Sequence, residues 1–313
     1  MALTIGVDIG GTKIAAGVVD EEGAILERVK LATPKDSAQV AATIAEAVNT
    51  VRTHHEVEAV GLGAAGFVSA DRATVLFAAN MSWRNEPLRA RIEGLVDLPV
   101  VVENDANVAA WGEARFGAGN GQDNVVLLTI GTGVGGGVII DNRLLRGHFG
   151  IGAELGHYRV QPDGLLCGCG QHGCLEQYAS GSALTRHVKA GAARNPERAK
   201  LLLSLGDGTP EGILGSHITA AAREGDPVAL EGFTDVATWI GQAMADMTAI
   251  LDPGVIILGG GVSEAGELLA APAREHYQKV VPASGQRPVA DVVTATLGPD
   301  AGIIGAADLA RDR

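Results

Sequence analysis

All three cysteines of this 313-residue chain lie in "CGCGQHGC", residues 167 to 174, and the nearest upstream histidine is His157 in "AELGHYRV". An odd number of clustered thiols does not make a disulfide framework, so metal binding is their leading use. Glycine marks a second kind of chemistry. The chain has 44 glycines, concentrated in "LTIGVDIGGTK", "AVGLGAAGF", "VVLLTIGTGVGGG" and "GVIILGGGVSEAG", where each group follows a short apolar run. Glycine at the end of a buried strand lets the backbone approach a ligand closely, which points to a nucleotide site. Gly61, Gly63 and Gly66 match the spacing G-x-G-x-x-G, as do Gly131, Gly133 and Gly136. That spacing binds a dinucleotide only where a helix starts inside the glycines. Here extended sequence follows, "FVSADRATVLF" and "GGVIID", and no G-x-x-x-x-G-K-[ST] loop occurs. The expected phosphate site is therefore a hairpin turn that offers backbone N–H groups.

The elements that must carry these turns follow from hydrophobic periodicity. Strands are expected near residues 3–8, 13–19 and 24–31, a helix from Ser37 to about Thr53, and a strand near 58–63. "LPVVVENDANVAAWGEARFG" reads as a strand ending at Glu103 and a helix running to about Phe116, which Asn104 or Asp105 would cap. Residues 124–141 restart the hairpin, because "VDIGGTKIAAGVVD" from Val7 aligns without gaps on "LTIGTGVGGGVIID" from Leu128, each closed by an acid, Asp20 or Asp141. Such self-similarity indicates a duplicated unit. Helices over 182–205, 216–223 and 227–251 come next, then the strand "GVIIL", another near 292–297 and a closing helix from Asp300. Hairpins alternating with helices, twice over, predict a two-lobed α/β protein whose glycine turns line a cleft. The small lobe would be residues 1–117 completed by the C-terminal helix 300–313, and the large lobe 118–299 with the cysteine loop.

A chain that is 46% hydrophobic can bury a substantial core. A formal net charge of −13 argues against a nucleic-acid surface. No stretch approaches the ~20 uninterrupted apolar residues of a membrane helix, and "MALTIGVDIGG" shows no basic leader. A cytoplasmic protein is expected.

Taken together, "DIGGTK" (8–13), "END" (103–105), "GTGVGGG" (131–137), "ELGH" (154–157), "CGCGQHGCLE" (167–176) and "DAGIIGAADLA" near the end resemble the ROK family of repressors, open reading frames and kinases. The glycine motifs are weak singly, whereas His157 followed by C-x-C-G-x-x-G-C-x-E is highly specific. The resemblance implies the two-lobed sugar-kinase and actin-like (ribonuclease H-like) fold, ATP with Mg2+, a structural Zn2+, and a homodimer or homotetramer. His157, Cys167, Cys169 and Cys174 would then supply one imidazole and three thiolates, a closed tetrahedral set with no position for substrate. His172, inside the same loop, is expected to be solvated.

By the same resemblance Gly66, Asn80, Asn104, Asp105, Glu154, His157 and Glu176 bind the sugar, a ring of hydroxyls suited to carboxylate and amide partners. Glu154 precedes His157 by three residues and Glu176 follows Cys174 by two, so the metal would fix both. Asp105 is the expected catalytic base, with Glu103 next in line. Asp8 would hold the magnesium. Phosphate would be received by Gly10, Gly11 and Thr12, with Lys13 adding charge, and by Gly131, Thr132 and Gly133. Gly259, Gly260 and Gly261 would face the adenosine, with Ser263 capping the next helix. The implied reaction is phosphorylation of the 6-hydroxyl of glucose. Ala65 replaces a proline common in the family, and "NMSW" (80–83) follows the family only loosely, so N-acetylmannosamine, mannose or fructose are the alternatives. A sugar-responsive regulator is the other class in the family, and with the phosphate motif starting at Asp8 no DNA-binding domain is expected before it.

Overall fold

A computed structural model describes residues 2–78 and 81–311. The chain opens with an antiparallel meander of β1 (Leu3–Ile9), β2 (Lys13–Val19) and β3 (Ile25–Ala32). Next is α1 (Ser37–Val51), capped by Asp36, whose carboxylate accepts from the Ala38 N–H. Its apolar stripe of Val40, Ile44, Ala47, Val48 and Val51 is buried. Then come β4 (Val57–Ala64), three short strands β5 (Phe67–Val68), β6 (Val75–Ala78) and β7 (Trp83–Glu86), helix α2 (Leu88–Val96), strand β8 (Val100–Asn104) and helix α3 (Asp105–Phe116). The hairpin restarts in β9 (Val125–Ile130), β10 (Val134–Ile140) and β11 (Arg143–Leu144). The later helices are α4 (Glu176–Ala179), α5 (Gly181–Arg194), α6 (Lys200–Ser204), α7 (Gly215–Arg223) and α8 (Pro227–Leu251). The chain ends with β12 (Val255–Gly259), α9 (Glu267–Val280), β13 (Asp291–Thr294) and α10 (Ala301–Leu309).

Two five-stranded sheets share one plan. The first runs β3-β2-β1-β4-β8 and the second β11-β10-β9-β12-β13, while β5-β6-β7 form a small third sheet. The aligned stretches from Val7 and Leu128 fall on corresponding hairpins, and in both sheets the last two strands are parallel. The chain forms two compact units, one of residues 1–127, 136–153 and 295–313, the other of 128–135 and 154–294. Residues 118–127, 136–153 and 295–299, grouped with the large lobe from sequence, lie in the first unit. Among the described residues no helix is long and apolar enough to cross a membrane.

Some elements differ from expectation. The helix expected over 182–205 is two, α5 and α6, separated around Pro196, where a proline cannot donate to a continuing helix. The helix expected after Ser263 is α9, which starts at Glu267 and runs through Pro272. Ser263 does not cap it: residues 263–265 form a single 3-10 turn, the Ser263 hydroxyl donates to the Gly260 carbonyl, and Gly266 occupies the cap position.

Helix α10 covers the first sheet at very short range. A Cβ on Gly6 of β1 would lie 1.8 Å from the Ile303 carbonyl oxygen, and one on Gly61 of β4 would lie 1.8 Å from that of Ala306. Helix α3 approaches α10 in the same way, with Gly305 against the Val108 carbonyl. Several of the glycines that suggested ligand approach in sequence are thus spent on packing a helix.

Candidate functional site

In the first unit, Asp8 stands in β1 opposite Ala15 of β2 and Gly63 of β4. The turn that follows is closed by the Gly10 N–H donating to the Lys13 carbonyl, and Thr33 holds it from outside through a hydroxyl bond to the Gly10 carbonyl. Gly11, Thr12 and Lys13 are exposed at its tip. Burial raises the Asp8 carboxyl to about 6, the neighbouring Asp105 charge pushes the same way, and Lys13 opposes both.

Asp105 is the first residue of α3. Either it or Asn104 suited the cap in sequence, and the geometry gives that task to Asn104, whose extended backbone places Oδ1 to accept from the Asn107 N–H at 3.0 Å. The Asn104 amide nitrogen donates to the Gly66 carbonyl, bringing two expected sugar residues together. Gly66 has φ +135, and a Cβ there would meet the Phe77 carbonyl oxygen at 2.3 Å, so only glycine fits. The Asp105 carboxylate accepts from the Ala106 N–H and carries no capping duty. Burial holds its pKa above the ordinary aspartate range, against the lowering effect of that N–H. Glu103, the second candidate base, has a side chain only 1% exposed, with Oε1 accepting two hydrogen bonds and Oε2 in ion pairs with Arg146 and Arg72. Asn80 lies outside the described residues.

In the second unit, the metal-ligating atoms of His157, Cys167, Cys169 and Cys174 all lie within 4.8 Å of one another. The Cys169 and Cys174 sulfurs are 3.6 Å apart, as are Cys167 Sγ and His157 Nδ1. Bonds of about 2.1–2.3 Å in a tetrahedron give ligand separations of about 3.5–3.8 Å, so the set fits zinc. Without a cation, burial pushes the Cys174 thiol up to about 12. His157 presents Nδ1 to this cluster, which keeps Nε2 for a second partner. His172 is exposed, near the Gly164 carbonyl and apart from the four ligands.

The same loop carries the acids. Glu154 enters the short turn Leu155–His157, and its carbonyl accepts from the His157 N–H. Glu176 opens α4, with one carboxylate oxygen accepting from the Val134 N–H and the other 3.7 Å from the Cys167 sulfur. A Cβ on Gly133 would sit 2.1 Å from that carboxylate, so the β9–β10 turn and the metal loop meet at Glu176.

The β9–β10 turn is strapped to the start of α5, where the Gly181 N–H donates to the Gly131 carbonyl and the Ser182 hydroxyl to that of Thr132. Gly131, Thr132 and Gly261 line a cavity of about 1210 Å³, whereas Gly133, Gly259 and Gly260 do not. Sequence reading missed the rest of its wall, including Ser182, Arg186 and Lys189 of α5 and Ser216, Thr219 and Arg223 of α7. Their signal was the helical spacing 182, 186, 189, a polar stripe beside the glycine turn.

Two sheets of one plan, a glycine turn in each unit and a Cys3His loop define a sugar kinase of actin-like fold. The chain belongs to the ROK family, whose model matches residues 4–313. It is 57% identical over 312 residues to a glucokinase of Streptomyces coelicolor, covering 100% of this chain and 98% of the relative. A glucokinase of Thermotoga maritima is 40% identical over 312 residues, with 99% and 97% covered. The crystal structure of a ROK family glucokinase from Streptomyces griseus in complex with glucose and AMPPNP superposes with a TM-score of 0.92 at 57% identity, over 100% of both chains.

Proposed function

We propose that this chain is an ATP-dependent glucokinase. The observation that carries the mechanism is the part-buried carboxylate of Asp105, raised in pKa and released from capping by Asn104. Asp105 takes the proton of the 6-hydroxyl as that oxygen bonds to the γ-phosphorus of ATP and the bridging P–O bond breaks, leaving ADP and glucose 6-phosphate. Magnesium, for which Asp8 is the expected holder, supplies positive charge to the phosphates when bound. Gly10, Gly11, Thr12 and Lys13 are assigned to phosphate in the first unit, and Gly131, Thr132 and Gly133 in the second. The cavity beside Gly261 is assigned to the nucleoside, with Gly259 and Gly260 shaping the turn behind it. His157, Cys167, Cys169 and Cys174 would hold zinc, which would close the loop that carries Glu154 and Glu176; the resemblance assigns Glu154, His157 and Glu176, and separately Gly66, Asn80 and Asn104, to the sugar.

The family resemblance also supports a homodimer or homotetramer working in the cytoplasm, with no nucleic-acid or membrane partner. A coupled ADP-release assay over a panel of hexoses tests the substrate. Glucose should exceed N-acetylmannosamine, mannose and fructose in kcat/KM by at least ~10-fold, a difference of about 1.4 kcal/mol in transition-state binding. Equal or higher efficiency with another hexose would overturn the assignment.

A further inference from the structure

Glu103 buries a charge at the end of an apolar strand, which is costly unless every partner is in place. Its Oε1 accepts from the Asn104 N–H at 2.9 Å and from Asn107 Nδ2 at 3.0 Å. Its Oε2 lies 2.6 Å from Arg146 Nε and 3.3 Å from Arg72 Nε, as ion pairs and not as aligned hydrogen bonds. The remaining Arg146 nitrogens donate to the Ala70 and Ser69 carbonyls at 2.7 and 2.9 Å. One carboxylate therefore joins three pieces of the first unit: the β8–α3 junction, the turn at 69–72, and the segment after β11.

We infer that Glu103, braced by Arg146, is a positioning residue that sets the direction of Asp105. Stability alone is a weak account of such a pair, because well-packed apolar residues often replace a buried ion pair at no cost. Orientation is a better account. Glu103 bonds the N–H of the residue next to Asp105 and the side chain of Asn107, one turn along the same helix. Arg146 has Nε in the ion pair with Glu103 and its other two nitrogens bonded to the 69–70 backbone, so rotation of either side chain breaks contacts that the other depends on. A displacement of about 1 Å at a reacting group can cost ~10²-fold in rate.

This inference rests on Asp105 being the base, so Asp105→Asn is measured beside the test variants in the full chain. Glu103→Gln keeps an acceptor for the Asn104 N–H but loses the charge facing the arginines, and Glu103→Ala loses both. The expected kcat order is wild type, then Gln about 10-fold lower, then Ala about 100-fold lower. Glucose KM should change less than ~3-fold, and the acid limb of the pH profile should not move. Arg146→Lys, which keeps the charge and loses the fork, should reproduce the kcat loss and covers the case in which the Glu103 variants do not fold. Wild-type kcat in folded Glu103→Gln or in Arg146→Lys would overturn the inference, whatever the melting temperature. Loss of the acid limb in Glu103→Gln with turnover retained in Asp105→Asn would also overturn it, since Glu103 would then be the base.

Discussion

Asp105→Asn separates proton transfer from every other task at that position. Asparagine keeps the size and an oxygen for the Ala106 N–H, and the cap belongs to Asn104, so the melting temperature should stay within a few degrees. Turnover should fall at least ~10²-fold with a much smaller change in glucose affinity. In the wild-type enzyme the base must be ionised, and burial raises its pKa, so kcat/KM should be lost as pH falls through a value above the ordinary aspartate range. Stability has the opposite sign. The folded state holds the Asp8 proton more tightly than the unfolded chain does, so this contribution is present below the ordinary value of 3.8 and is lost as pH rises through about 6. In magnesium-free buffer at pH 7.5, Asp8→Asn should therefore melt higher than wild type, by at most about 2–3 kcal/mol of stability, while losing activity. An unchanged or lower melting point would refute that account. The role of Asp105 as base came only from the family resemblance, while its place, where an apolar strand gives way to a helix, was legible in "ENDA". Its freedom from capping was not, since Asn and Asp cap helices equally well and only backbone geometry divides the work.

At the scale of elements, the β9–β10 turn and the Cys3His loop are coupled through one carboxylate. Gly133→Ala would push a methyl group onto Glu176, whose flexible end can move away at little cost to the fold. The expected result is a melting temperature near wild type with glucose KM raised roughly 10-fold, the scale of one lost charged hydrogen bond. An unchanged KM would mean that Glu176 does not hold the sugar. Cys169→Ser tests the loop from the other side. Losing one thiolate should release zinc from the purified protein, lower the melting temperature and weaken glucose binding together. Elemental analysis and calorimetry on that variant check it, and full glucose affinity without zinc would break the link. The hairpins were legible because glycine and β-branched residues contrast sharply along the chain. The start of α9 was misplaced because serine caps helices well, whereas here Gly266 takes that position, and the Arg186 and Lys189 stripe was missed because cations on a helix do not by themselves distinguish a cavity wall from a solvated face.

The duplication was legible at the scale of the molecule, because two aligned stretches fall on matching hairpins of two sheets with one strand order. What the glycines were for was less legible: a residue without a side chain is read the same way whether a phosphate or a helix comes close to it. Gly61→Ala distinguishes these uses. Its methyl group would meet backbone at 1.8 Å, which cannot swing aside, so a loss of about 3 kcal/mol or more is expected. Gly94→Ala in α2, with nothing within 4 Å, should stabilise by up to about 1 kcal/mol. Denaturant unfolding of the two variants makes the comparison, and a mild effect at Gly61 would show that α10 can be lifted cheaply.

The seat of α10 also orders events on the ribosome. Translation delivers β1 and β4 before the residues of the second unit and α10 after them. Throughout that interval Gly6 and Gly61 lack the backbone of Ile303 and Ala306 that lies on them in the folded chain. Strands made early are thus covered late. A chain cut short before Ala301 should therefore leave this face of the sheet bare and be digested faster than the chain that carries α10, which limited proteolysis of the two checks.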